Sequence, residues 1–280
     1  MKIIDTHQHI WELERFSYSW CSSVPSLNRT FSLEDYLDAS DGTGIERTVH
    51  VEADVDEAFM LAETKYVLSL AAAETPIVGV VACARPESTD FPAYLDEIAG
   101  HPQLKGVRRL LQAQADDLSE GSVFRDNVRL LPRYDLSFDI CVLARQLPVA
   151  IALVEACPEV QFILDHCGNP LILEGRLEDW RRDLRRIAAY PNISCKISGI
   201  VTQADHMSWT AKDLRPIVEH VIECFGWDRV MFGSDWPVCT LSTGLRRWVE
   251  TLLDLTRGAG EKNQHKLFYE NAVRIYRLTW

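Results

Sequence analysis

No apolar run in this chain approaches the roughly 18 residues that carry a helix across a membrane, so no transmembrane segment is expected. Basic stretches are missing too, and no aromatic residues are interleaved with Lys and Arg. The 29 Lys and Arg residues stand against 41 Asp and Glu, a formal charge of −12. That balance argues against nucleic acid and anionic membranes as partners and leaves a small molecule. There is no C-x-x-C pair among the 8 cysteines. Several of them sit inside apolar runs ("VVACA", "DICVL", "ISCKI"), where a free buried thiol is expected rather than a disulfide framework. A reducing, cytoplasmic location follows as an expectation. The chain passes from one Lys directly to Asp5 and His7, so no signal peptide is expected. Neither G-x-G-x-x-G nor G-x-x-x-x-G-K-[ST] occurs, which removes the phosphate loop that commonly opens a doubly wound sheet. Linkers, low-complexity segments and internal repeats are absent as well. Residues 1–280 therefore read as one domain, and 47% hydrophobic residues give it ample core. Nothing in the composition excludes a homo-oligomer.

What is present is a series of short β-branched runs. They are "KIIDTHQHI" (2–10), "RTVHVEA" (47–53), "PIVGVVACA" (76–84), "LKGVRRL" (104–110), "LSFDICVL" (136–143), "VQFILDHCG" (160–168), "ISCKISGI" (193–200) and "RVMFGSDWP" (229–237). Most show little alternation, as strands buried on both faces should. Segments of helical spacing lie between them: 32–40, 54–74, 176–190, 210–226, 242–256 and 261–277. Ser32 is a candidate cap, with Glu34 and Asp35 in the first turn. Strand and helix alternating in a chain of this length predict an α/β fold, a parallel (β/α)8 TIM barrel. The aromatic segment 11–31 is a candidate loop over its mouth.

Active sites of such barrels lie at the C-terminal ends of the strands. Ionisable side chains gather there. The first strand closes with His7 and His9, two residues apart and so on one face, about 7 Å from each other along the strand. The second carries His50 and Glu52, the fourth Arg108 and Arg109, the sixth Asp165 and His166, the seventh Lys196 and Ser198, the eighth Asp235 and Trp236. Buried charge is costly unless paired or used. Agreement among so many strand ends predicts convergence on one reaction chamber.

His-x-His closing the first strand, His closing the sixth and Asp closing the eighth resemble the amidohydrolase superfamily. The phrases "DTHQHIW", "KGVRRLLQ", "FILDHCGNP", "ISCKISG" and "MFGSDWPV" are similar to its lactonase branch. That branch contains L-fuconolactonase, L-rhamnonolactonase and 2-pyrone-4,6-dicarboxylate lactonase types. The resemblance implies the barrel and hydrolysis of a carbonyl compound at the strand ends. It implies either no metal or a single divalent ion such as zinc, held by His7, His9 and Asp235 with His166 nearby. The chain departs from binuclear members: Arg at the end of the fourth strand cannot ligate a metal, and "FDICVL" supplies no His.

For the hydrolysis of a sugar-acid lactone, Asp235 is the expected general base. His166, His7 and His9 would orient water and polarise the carbonyl. Arg108 and Lys196 are candidates for stabilising the developing oxyanion or binding substrate, and Glu52 and Trp236 are further candidate substrate contacts. Neighbouring positions on a strand face opposite sides, so only one of Arg108 and Arg109 can point inward; Arg108 is expected to. Lys196 has a structural alternative, pairing with Asp165. Trp11, Phe16, Tyr18 and Trp20 would wall the pocket or staple the loop. Cys167 and Cys239 read as packing residues. Competing readings are a decarboxylase of the same superfamily, a hydrolase of a pyrone dicarboxylate, and a barrel that binds a ligand without catalysis.

Overall fold

The computed structural model describes residues 1–73 and 75–280. Eight strands form one parallel sheet in sequence order: β1 (Ile3–Gln8), β2 (Ile45–Val51), β3 (Ile77–Cys83), β4 (Leu104–Leu110), β5 (Ser137–Cys141), β6 (Phe162–Leu164), β7 (Ile193–Ile197) and β8 (Val230–Phe232). A helix follows each: α1 (Leu33–Ser40), α2 (Met60–Ala72), α3 (Phe91–Ile98), α4 (Ser122–Val128), α5 (Leu147–Ala156), α6 (Glu178–Ala188), α7 (Ala211–Phe225) and α8 (Leu245–Thr256). This is the expected barrel. All eight strands overlap the runs the sequence places there: β4 has the expected bounds, β2 begins and ends two residues earlier, and the other six are shorter where the chain turns into loops.

Ser32 caps α1 as its position suggests. Its hydroxyl accepts from the Asp35 amide while the Asp35 carboxylate accepts from the Ser32 amide, a reciprocal pair. Helices α3, α4 and α5 have no counterpart in the sequence reading. The first two are a bare two turns. The third, "LPVAIALVEA", is apolar on nearly every side, so no periodic stripe marks it. The expected end of the second helix at Glu74 lies outside the described residues. The C-terminal segment is helical as expected but not uniform: α9 (Glu261–His265) and α10 (Asn271–Ile275) flank a π-turn at Lys266–Glu270.

Two apolar layers hold the barrel. One lies between the sheet and the helices. The other fills the barrel's interior, where Ile4, Val49, Val81, Ile163 and Met231 meet Ala272, Ile275, Tyr276 and Leu278. The C-terminal segment thus plugs the end opposite the mouth, and Lys105 Nζ donates to the Arg277 carbonyl there.

Strands β1 and β8 close the ring through a short seam. Thr6 Oγ1 donates to the Phe232 carbonyl at 2.6 Å. Beyond the end of β8, Asp235 N donates to the His7 carbonyl at 2.7 Å and His9 N to the Trp236 carbonyl at 2.8 Å. Asp5 is fully buried across the same seam: Oδ1 accepts from the amides of His7 and Ser234, and Oδ2 from the Tyr36 hydroxyl on α1.

Candidate active site

Strict alternation would put Asp5 and His7 on the same face. A register irregularity between Asp5 and Gln8 inserts one residue into β1 relative to β2. Asp5 therefore reaches outward to α1 while His7 turns into the barrel mouth. His9 lies just past the strand; its ring and that of His7 are 4.9 Å apart and nearly perpendicular.

At the end of β6 the backbone enters the left-handed region for four residues in succession: His166 (φ 52°), Cys167 (φ 55°), Gly168 (φ 72°) and Asn169 (φ 50°). Such conformations cost residues with a Cβ about 1 kcal/mol each. Three bonds hold the turn. Trp180 Nε1 donates to the Cys167 carbonyl, Asn169 Nδ2 to the Val142 carbonyl, and the His166 amide to Ser198 Oγ. The turn swings the His166 ring over His7, with centroids 4.4 Å apart. Gly199 makes room for it: a Cβ there would lie 2.5 Å from His166 Nδ1. Gly233 does the same for His7, whose Cβ would be 2.7 Å from a side chain at that position. Asp235 also adopts a left-handed conformation (φ 59°), which aims its carboxylate inward from the β8 end.

The result is a cluster. Asp235 Oδ1 lies 3.4 Å from His9 Nε2, 3.8 Å from His7 Nε2 and 3.9 Å from His166 Nε2. His9 Nδ1 donates to the Val51 carbonyl at 2.7 Å, which leaves the Nε2 lone pair of the neutral ring facing the carboxylate. Two acceptors facing each other require something positive between them, a proton or an ion. The separations also suit a tetrahedral zinc site, in which ligand atoms sit about 3.4 Å apart. The donor set therefore fits a divalent ion. His7, His166 and Asp235 each offer a ligand atom within 4.8 Å of the others. His166 joins this group because the left-handed turn after β6 brings its ring in over His7, and His9, an expected ligand, lies 3.4 Å from the same Asp235 oxygen.

Beneath this cluster is a buried layer of charge. Arg108 points inward: Nε donates to Glu52 Oε1 at 2.6 Å, and Nη1 lies 3.4 Å from Asp165 Oδ2 and 3.5 Å from His7 Nε2. Arg109 points the other way, to Glu87. Lys196 Nζ contacts Asp139 Oδ2 at 2.6 Å and Asp165 Oδ1 at 3.1 Å, and Tyr276 donates to Asp139 from the barrel plug. Burial pushes the Asp165 carboxyl up, but Lys196 and His7 together hold it well below the usual range. Burial also keeps His7 well below, and His166 below, the ordinary imidazole value. The neighbouring Asp165 and Asp235 oppose that shift without cancelling it.

A cavity of about 320 Å³ opens above, at the small end for a small-molecule site. His9, His166, Asp235 and Arg108 form its floor, and Trp11 and Trp20 one wall. Both indole nitrogens are spent on carbonyls, those of Arg29 and Ala53, which pins the 11–31 loop. Three expected substrate contacts do not line this cavity. Lys196 is fully buried, because two carboxylates draw its ammonium under His7. Glu52 is taken up by Arg108. Trp236 packs behind the site against Phe31 and Tyr36. Of the other loop aromatics, Tyr18 is buried against Glu63 and Phe16 packs on Tyr66, so both staple the loop. Cys167 and Cys239 are buried free thiols, and all the cysteines are free.

The sequence reading missed Asp139 and the polar side chains Asp54, Gln112, Asn169 and Gln203 on the cavity wall. Asp139 had a signal, an acidic residue between Phe138 and Ile140 in an otherwise apolar strand. The amides follow the strands on loops, where polar residues carry no signal of their own.

No helix among the described residues is long and apolar enough to cross a membrane. The amidohydrolase family matches residues 4–278. An L-fucono-1,5-lactonase of Burkholderia ambifaria is 31% identical over 98% of this chain and 95% of that protein. A second L-fucono-1,5-lactonase, of Burkholderia multivorans, is 32% identical over 98% of this chain and 96% of its own length. The solved structure of an amidohydrolase from Burkholderia multivorans with bound zinc superimposes with a TM-score of 0.91 at 27% identity, both chains covered in full. Fold, histidine and aspartate cluster and sequence agree: this chain belongs to the amidohydrolase family.

Proposed function

We propose that this enzyme hydrolyses the ester of a sugar-acid lactone, of the L-fucono or L-rhamnono type, to the free aldonic acid. The observation that carries the reading is the meeting of Asp235 Oδ1 with three imidazole Nε2 atoms at 3.4–3.9 Å, with Asp235, His9 and His166 on the floor of a cavity and His7 buried beside them. Relatives named L-fucono-1,5-lactonase support the ester and the sugar.

In this mechanism Asp235 takes a proton from water as the water oxygen bonds to the lactone carbonyl carbon. The tetrahedral adduct then collapses, the bond from that carbon to the ring oxygen breaks, and Asp235 returns the proton to the departing oxygen. Both electron pairs and both protons are accounted for, and the product is a hydroxy acid. His9 and His166 orient the water against Asp235. Arg108 Nη1, aimed by Glu52 and Asp165, stabilises the developing oxyanion, a role in which one donor is often worth about 3 kcal/mol. His7, Asp235 and His166, with His9 beside them, would hold a zinc ion; when bound, it supplies Lewis-acid polarisation of the carbonyl.

A pyrone dicarboxylate fits less well. Arg108 is the only Lys or Arg on the cavity wall among the described residues, and it is matched by Glu52 and Asp165, while Asp54 and Asp235 add negative charge. A planar dianion would meet repulsion there. The decarboxylase reading draws nothing from β5, which offers a buried Asp139 and no imidazole.

The test is a panel of aldonolactones followed by proton release, with and without chelator, for the wild type and Asp235→Asn. Sugar lactones should be opened, and the variant should lose about 10²- to 10⁴-fold in kcat. Hydrolysis of none of them, or an undiminished variant, would overturn the proposal. Zinc binding to the metal-free protein, read by calorimetry, should weaken in His166→Asn.

A further inference from the structure

Across the mouth from the two indoles, three amides form a chain. Gln112 follows β4, Asn169 follows β6 and Gln203 follows β7, and all three line the cavity. Asn169 sits at the centre and is spent inside the protein. Its Nδ2 donates to the Val142 carbonyl at 2.8 Å and faces Gln112 Oε1 at 3.4 Å, and its Oδ1 accepts from Gln203 Nε2 at 3.3 Å. The chain therefore has two unspent ends. Gln112 Nε2 is a free donor and Gln203 Oε1 a free acceptor, neither with a partner among the described residues.

A hydroxyl group both accepts and donates. One free donor and one free acceptor on a single wall match two hydroxyls of one ring, the first accepting from Gln112 and the second donating to Gln203. A carboxylate can only accept, so it could take the remaining Nε2 hydrogens but would leave Gln203 Oε1 opposed to a like partner. The opposite wall completes the match. The nitrogens of Trp11 and Trp20 are already bonded, so what they show the cavity is apolar ring surface. Such surface packs on the C–H side of a sugar ring.

We propose that Gln112 and Gln203, held in register by Asn169, form the subsite that reads the hydroxyls of a neutral polyhydroxylated ring, with Trp11 and Trp20 against its C–H face. This rests on the reading that the site opens a lactone. It adds where selectivity for the sugar resides.

The experiment replaces each glutamine by methionine, Gln112→Met and Gln203→Met, which keeps length and removes the amide. Two substrates are compared: a fully hydroxylated six-membered lactone and the bare ring, δ-valerolactone. Each variant should lose about 10- to 100-fold in kcat/KM on the hydroxylated lactone and stay within about twofold on the bare one. Equal losses on both substrates, or none on the hydroxylated one, would sink the subsite. A second arm separates this idea from the lactonase reading. The hydroxylated lactam carries the same hydroxyls on a ring that resists hydrolysis, and its binding is read by calorimetry. Wild type that hydrolyses no lactone yet binds the lactam, with about tenfold weaker binding in Gln203→Met, would refute the lactonase reading and keep the subsite. Lactam that binds neither protein, or both equally, would refute the subsite.

Discussion

Glu52 grips Arg108 twice: its carboxylate accepts from Nε at 2.6 Å and its own main-chain carbonyl accepts from Nη2 at 2.5 Å. Only a planar fork can make both bonds while turning Nη1 toward His7 and Asp165. Arg108→Lys keeps the charge and loses the fork. Activity on the lactone should fall by about 10²-fold in kcat, with a smaller change in KM. Steady-state kinetics decide it; a lysine variant at wild-type rate would mean that charge alone suffices.

Lys196 and Tyr276 converge on one carboxylate, Asp139 Oδ2, each at 2.6 Å. Removing Lys196 strands two buried carboxylates. Lys196→Met should destabilise the protein by about 3–5 kcal/mol, whereas Tyr276→Phe, which removes one hydroxyl, should cost about 1–2 kcal/mol. Denaturant midpoints measure both. Equal and small effects would show that the layer is not held by the ammonium.

Gly199 is left-handed (φ 64°) and pressed against the His166 ring. In Gly199→Ala the new methyl must displace that imidazole and its 2.9 Å bond to Ser198 Oγ. Catalysis should fall by about 10-fold or more while stability drops by only about 1–2 kcal/mol. Parallel kinetics and thermal melts test it, and unchanged kcat would place His166 outside the chemistry.

Glu63 on α2 is buried, and Tyr18 donates to it. Burial first, and then the nearby Glu52 charge, raise its pKa from 4.5 to about 8. Between those two values the folded state holds a proton that the unfolded state has released. Stability must therefore decline as pH rises through that window. Glu63→Gln carries no such proton. Its unfolding free energy, from denaturant titrations at each pH, should match wild type near pH 4.5 and exceed it increasingly toward pH 8, by up to about 4 kcal/mol. A difference independent of pH would show that Glu63 titrates normally.

The barrel was legible because buried parallel strands write themselves as β-branched runs, and eight of them leave few alternatives. The cluster was legible because His7, His9, His166 and Asp235 stand at strand ends, where the fold forces convergence. What escaped the sequence depends on backbone detail. The irregularity in β1 separates Asp5 from His7, and period-2 spacing alone cannot show it. The burial of Lys196 depends on Asp139, two strands away across the barrel and far off in sequence. The amides of Gln112, Asn169 and Gln203 lie on loops, whose geometry no periodicity reports.

The seam between β1 and β8 joins residues 226 and 229 positions apart, and Asp235, His7 and His9 sit directly upon it. Contacts of such separation form late in folding, after local helices have assembled. Recovery of turnover after dilution from denaturant will therefore trail the return of helical dichroism, and a nascent chain will be inert until its eighth strand has been synthesised and docked.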